Sequence, residues 1–192
     1  ICGICHSAHG IAAAEAIEDA LGIAPPPNGI MLREMIGLLN RIQSHLVHLI
    51  FIVRDLLKEK LVWDVTLEGI RLLGDVSLLL SRFGGAPTHP PYIVIGGVQC
   101  LPKEKHLEES KKKIKSVIER LLKIKDIMFD EDNWSEKAEI LSGIKHEHDF
   151  MASHIYYGDR YNIDTEAIIV RNYVEYRGDN VPESAKKTTS CI

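Results

Sequence analysis

Cys2 and Cys5, two thiols separated by two residues, are the strongest chemical signal in this chain, and Gly3 between them lets the backbone turn tightly. This spacing brings the sulfurs close enough to share one metal ion or to close a small disulfide. From the residues alone three chemistries stay open: part of a structural zinc site, a redox dithiol, or no metal at all. A zinc site would recruit His45 and His48, yet only two residues separate these histidines, and the gap from Cys5 is far longer than in a zinc finger. The redox reading needs a strand just before the motif, for which the chain has no room.

Other imidazoles are placed to take part. His9 stands four residues after Cys5, about one helical turn along on nearly the same side, so its ring can reach a cysteine sulfur or carry protons. His45 and His48 share a helix face, and as polar groups on an otherwise apolar helix they are expected to be hydrogen-bonded core residues unless they are ligands. His89, before Pro90, reads as structural, with Gly84 and Gly85 permitting a close backbone approach.

The elements that must position these groups are mostly helical. Ala8 to Leu21 is alanine-rich, with Ile11, Ala14, Ile17 and Leu21 spaced for one buried face, which puts Cys5 at or just before a helix N-terminus. There the unpaired N–H groups and the helix dipole favour a thiolate. The run Pro25-Pro26-Pro27 forbids helix, and Asn28 is the expected N-cap of the next helix. Apolar residues then recur from Ile30 to about Lys60, predicting a helix of roughly thirty residues, about 45 Å long. Its most apolar part, Leu46 to Val53, reads as a buried segment. A second long helix is predicted from Trp63 to Phe83, stopped by Gly84-Gly85, and a short strand or extended piece over Pro90 to Val98. Pro102 opens a lysine-rich helix with Leu107, Ile114, Ile118, Leu121 and Leu122 on one face; interleaved glutamates make it a solvated helix rather than a membrane-binding one.

Asp130 to Asn133 is a polar break, followed by a short helix near Ser135 to Leu141 and strands around Ile155 to Tyr157 and Ala167 to Tyr176. Arg177 to Ile192 reads as frayed. The fold class is therefore mainly α, a long-helix bundle with a few short strands. Residues 1–130 form its helical-bundle part, and residues 131–192 a mixed extension.

With 192 residues, 45% of them hydrophobic, the chain can bury one sizeable core. A net charge of −4 gives no basic footprint for nucleic acid. No apolar run approaches the ~20 residues of a membrane span. Four cysteines, two of them isolated, do not form the disulfide framework of a small secreted domain, and Cys100 and Cys191 are expected to be packing residues or incidental thiols. A first residue that falls inside a motif implies a fragment.

The pattern Cys2-Gly3-x-Cys5-x-x-x-His9, running into a helix that ends Ala20-Leu21-Gly22, resembles the first cysteine motif of the large subunit of nickel-iron hydrogenases. Three further signatures of that family follow in order: Pro26-Pro27-Asn28, then Gln43-Ser44-His45-Leu46-Val47-His48, then Gly84-Gly85 through His89-Pro90 to Gly96-Gly97-Val98. The arginine that opens the family motif is absent. Where the family often has aromatics and a further histidine after the second histidine, this chain has Leu49, Ile50 and Phe51.

The resemblance implies that Cys2 is a terminal nickel ligand and that Cys5 bridges nickel to an iron carrying cyanide and carbon monoxide, with His9 beside them. It also implies that His45 and His48 line the approach to a partner small subunit that holds iron-sulfur clusters. The implied activity of the full-length parent is heterolytic oxidation of dihydrogen or reduction of protons. The second cysteine pair of the family is missing here, so the isolated chain is expected to be inactive and to hold no metal of its own. Alternatives are a zinc-stabilised helical module and a hydrogen-sensing relative. The related quinone-binding subunits of respiratory complex I lack the cysteine pair that this chain has. Localisation stays open between the cytoplasm, membrane association through partners and export with the small subunit.

Overall fold

The structure, a computed structural model, describes residues 2–142 and two short strands, Ile169–Val170 and Tyr173–Val174. The first helix, α1 (His6–Leu21), has Cys5 at its N-cap and closes on Gly22, whose N–H and that of Ile23 return to the Asp19 and Glu18 carbonyls. Its buried face is Ile11, Ala14 and Glu18, whereas Ile17 and Leu21 are exposed. The predicted face is thus rotated by about one residue, because a buried carboxylate occupies a position that an apolar period assigns to its neighbour.

The second helix, α2 (Pro27–Phe51), starts one residue earlier than its expected cap. Pro26 is the N-cap and Pro27 takes the first helical position, where a missing N–H costs nothing. It also stops nine residues short of Lys60. A 3-10 turn over Val53–Leu56 breaks the path, and Leu57 pairs with Trp134 in an isolated antiparallel bridge. The Lys58 N–H donates to the Asn133 carbonyl and the Ser135 N–H to the Leu56 carbonyl, so hydrogen bonds to a distant segment replace those of a continued helix. The apolar pattern runs through this break because Leu57, at 3% exposure, is buried without being helical. Of the segment read as buried, Leu46 and Ile50 are, but Phe51 and Ile52 face out.

The third helix, α3 (Glu59–Gly84), returns antiparallel to α2, and α4 (Glu104–Phe129) packs against α3. Their core joins Leu32, Ile36, Leu39 and Leu46 to Leu72, Val76, Leu79, Leu80 and Phe83, with Val117 and Ile124 from α4. On α4 the buried stripe is Ser110, Val117 and Ile124; Ile118 and Leu122, expected inside, are exposed. The lysines of α4 are partly engaged: Lys113 reaches Asp75 on α3, and Lys111 pairs with Glu108 on its own helix. After the polar break, the last described helix is α5 (Glu136–Ser142). No helix of the described residues is long and apolar enough to cross a membrane.

Between α3 and α4 the extended piece is a hairpin, β1 (Ile93–Val94) against β2 (Gly97–Val98), antiparallel with Ile93 opposite Val98. It is reached through Gly84 and Gly85. A Cβ on Gly84 would stand 2.5 Å from Pro90 Cβ, and one on Gly85, at φ 88°, would stand 2.6 Å from the Tyr92 ring. Both positions need a residue without a side chain, as the close approach expected from the sequence requires. The strands Ile169–Val170 and Tyr173–Val174, β3 and β4, form a second antiparallel hairpin inside the predicted 167–176 stretch. The strand expected at 155–157 and the tail from 177 lie outside the described residues.

Candidate metal centre

The Cys2–Cys5 loop leads into the N-terminus of α1, and its geometry centres on one sulfur. Cys2 Sγ accepts the backbone N–H of Ile4 at 3.2 Å and that of Cys5 at 3.3 Å. Both cysteines are free and half-buried. The Cys5 N–H, then the Cys5 side chain and the Ile4 N–H, hold the Cys2 thiol below its ordinary value, while hydrogen bonding to Cys2 pushes the Cys5 thiol up. Cys2 therefore ionises first, and its anion is stabilised by donors aimed at the sulfur.

A polar network behind the loop connects three of the sequence motifs. Asn40, on α2, accepts the Ser7 N–H at 3.1 Å and donates to the Ile4 carbonyl at 2.8 Å. Gln43, one turn on, donates to the Pro87 carbonyl at 3.2 Å and to Ser77 Oγ of α3 at 3.1 Å. These backbone partners fix both amides: Asn40 must present Oδ1 to an N–H, and Gln43 must present Nε2 to a carbonyl. Gln43 Oε1 then accepts from Asn40 Nδ2 at 3.1 Å. His6 Nε2 lies 3.2 Å from both Gln43 Oε1 and Asn40 Nδ2, and His6 Nδ1 lies 3.2 Å from Ser7 Oγ, so the tautomer sets which ring nitrogen donates. Burial of this 2%-exposed ring lowers its pKa, which favours the neutral form.

The histidines singled out from sequence are placed differently. His9 lies one turn after Cys5 on α1 but is exposed. His45 and His48 also face outward, so they are not the hydrogen-bonded core residues expected of an apolar helix. The reason is rotational: Leu46 and Ile50 take the buried positions of that turn. His89 is exposed, sits at φ 51°, and has its ring centroid 5.4 Å from that of His6. Sequence reasoning missed His6, Asn40 and the bonding role of Gln43. The available signal was a run of polar positions, Asn40 and Gln43, interrupting the apolar period of α2. Cys100 is exposed, so it is not a packing residue, and Cys191 lies outside the described residues.

The hairpin beside this site is held by charge. Arg33 and Glu18 form a buried ion pair, both side chains fully buried. Arg33 also donates to the carbonyls of Gly97 at 2.9 Å and Val94 at 2.6 Å, while Glu18 accepts the Gly96 N–H at 2.6 Å. Strong directional partners on every side offset the desolvation of the two ions.

Comparison with known proteins places these features. Residues 1–52, which hold the cysteine loop, α1 and α2, match the family model of nickel-dependent hydrogenases. The coenzyme F420 hydrogenase subunit alpha of Methanocaldococcus jannaschii is 33% identical over 99% of this chain and 46% of its own length. The sulfhydrogenase 2 subunit alpha of Pyrococcus furiosus is 30% identical over 73% of this chain and 36% of its own. This chain belongs to the nickel-dependent hydrogenases. It spans somewhat less than half the length of the curated relatives it matches, and the first similarity covers nearly the whole chain, well past Val98 where the quoted motifs end. The Ni-Fe-Se hydrogenase of D. vulgaris Hildenborough, in its as-isolated oxidised state, shares the fold with a TM-score of 0.62 at 23% identity, over 66% of this chain and 31% of that one.

For a nickel-dependent hydrogenase the donor chemistry fits. Two thiols separated by two residues, one with backbone N–H donors that favour its thiolate, suit a soft metal. They make only part of a coordination sphere: among the described residues no group of three or more His, Cys, Asp or Glu side chains could hold a metal ion. A four-donor zinc clip is therefore not built from the described residues.

Proposed function

We propose that this chain is the part of a hydrogenase catalytic subunit that supplies Cys2 and Cys5 to a nickel-iron centre, and that the whole protein oxidises dihydrogen or reduces protons. The observation that carries this reading is the half-buried thiol pair at the start of α1, with two backbone N–H groups aimed at Cys2 Sγ. Cys2 and Cys5 are the residues of this chain that would hold the centre through their sulfurs. When bound, the metals, with cyanide and carbon monoxide on iron, supply the Lewis acidity against which dihydrogen splits heterolytically.

The chain's own groups have separate tasks. Two N–H donors on Cys2 Sγ favour its thiolate, the form that ligates metal. Exposed His9, one turn from Cys5, is positioned to exchange protons with water. Exposed His45 and His48 belong to the face that meets a small subunit carrying iron-sulfur clusters. Residues 1–130 are the bundle that carries the site, and residues 131–192 an extension tied back near its start by the Leu57–Trp134 bridge.

The test uses the whole gene product, matured and purified anaerobically. Nickel, iron and hydrogen uptake are expected, and Cys5→Ser is expected to abolish uptake. An undiminished rate in Cys5→Ser would remove Cys5 from the centre, and zinc without activity in the unaltered protein would overturn the reading.

A further inference from the structure

We infer that Asn40 is the positioning residue of the cysteine pair, with Gln43 as its support; the inference rests on the reading of Cys2 and Cys5 as nickel ligands. One peptide unit carries the argument. The carbonyl of Ile4 and the N–H of Cys5 belong to the same planar group and point in opposite directions. Asn40 Nδ2 holds the carbonyl end at 2.8 Å, and the N–H end is aimed at Cys2 Sγ at 3.3 Å. Fixing one end of a rigid plane fixes the other, so a side chain on α2 sets the direction of a donor onto the sulfur.

Asn40 grips the loop twice. Its Oδ1 takes the Ser7 N–H at 3.1 Å, so the same side chain spans both sides of Cys5 and also satisfies an N–H of the first turn of α1, which has no partner within the helix. Asn40 is 3% exposed, and its Nδ2 also faces Gln43 Oε1 at 3.1 Å and His6 Nε2 at 3.2 Å, so a flipped amide would lose both backbone partners. Gln43 is anchored in turn to Ser77 and to the Pro87 carbonyl. The loop is thereby referenced to α2, α3 and the turn after Gly85, three pieces of the rigid bundle. An apolar residue at position 40 would keep the helix and remove both grips.

The experiment compares wild type with Asn40→Leu in the whole gene product. Amide hydrogen exchange is read by mass spectrometry on the metal-free precursor, and nickel content on the matured protein. In Asn40→Leu, peptides covering residues 2–8 are expected to exchange roughly tenfold faster while the α3 core around Leu72 to Leu80 is unchanged. Nickel affinity is expected to fall by about 10–100-fold, the usual effect of losing a group that orients metal ligands. Unchanged exchange in the loop, or nickel bound as in wild type, overturns the inference. Exchange raised equally in the core would mark Asn40 as a general stability residue and overturn it as well. Should Asn40→Leu not fold, Gln43→Met is measured in the same way: faster exchange in residues 2–8 alone supports the positioning chain, and no change defeats it. A wild-type protein without nickel sinks the functional reading instead, and the exchange arm still decides whether Asn40 positions the loop.

Discussion

Glu18 and Arg33 show how much a single residue can carry here. Each is fully buried, and together they hold α1, α2 and the β1–β2 hairpin through the ion pair and bonds to Val94, Gly96 and Gly97. Removing one partner leaves a buried charge without its counter-ion, so Glu18→Gln is expected to cost about 3–5 kcal/mol in urea unfolding. The double variant Glu18→Leu with Arg33→Met is expected to lose less than the sum of the singles, because neither ion remains. Additive losses would show that the two side chains act independently. None of this pairing is visible in the order of residues. The helical period admits either Ile17 or Glu18 after Ile11 and Ala14, residue type favours Ile17, and the buried partners Arg33 and Gly96 explain why Glu18 takes the place. The two thiols were legible because their chemistry depends on local spacing; Asn40 was not, because its partners Ile4 and Ser7 lie more than thirty residues away.

At the scale of elements, α3 and α4 are fastened by charge along their exposed edge. Lys113 and Arg120 both reach Asp75, and Arg120 also meets Glu68. The hydrogen bond from Lys113, and then that from Arg120, hold the Asp75 carboxyl below its ordinary value near 3.8. A depressed carboxylate stabilises the fold above its unfolded pKa, and the contribution is lost as pH falls through the folded one. Asp75→Asn is therefore expected to lower stability by about 1 kcal/mol at neutral pH, with the gap to wild type closing below about pH 4. Thermal melts across pH check this, and a gap that persists in acid would assign the loss to packing. The break between α2 and α3 has a similar logic. The apolar period continues through Val53 to Leu57, but the chain there bonds to Asn133 and Ser135, so distant partners end a helix that local pattern prolongs.

For the whole molecule, the notable surface is apolar. Trp63, Phe51, Ile52, Phe129 and Ile140 are each more than half exposed, and all lie near the ends of α2 and α4, the start of α3 and α5. Exposed apolar side chains drive association where they lie together. The 192-residue chain is therefore expected to self-associate as its concentration rises rather than stay monomeric. Sedimentation velocity separates the two cases, and a monodisperse isolated chain would show that this surface tolerates water.

By itself, the sequence determined the helical class, the places where Gly84 and Gly85 must stop a helix, and the thiol pair at the head of α1, since each depends on neighbours within a few residues. Tertiary structure alone decided which residues stand behind that pair. His6, Asn40 and Gln43 meet because α1 crosses α2, and Glu18 meets Arg33 because the hairpin folds over both. A buried polar side chain is stable only where partners converge on it, and convergence of segments distant in the chain is what a local pattern of residues does not encode.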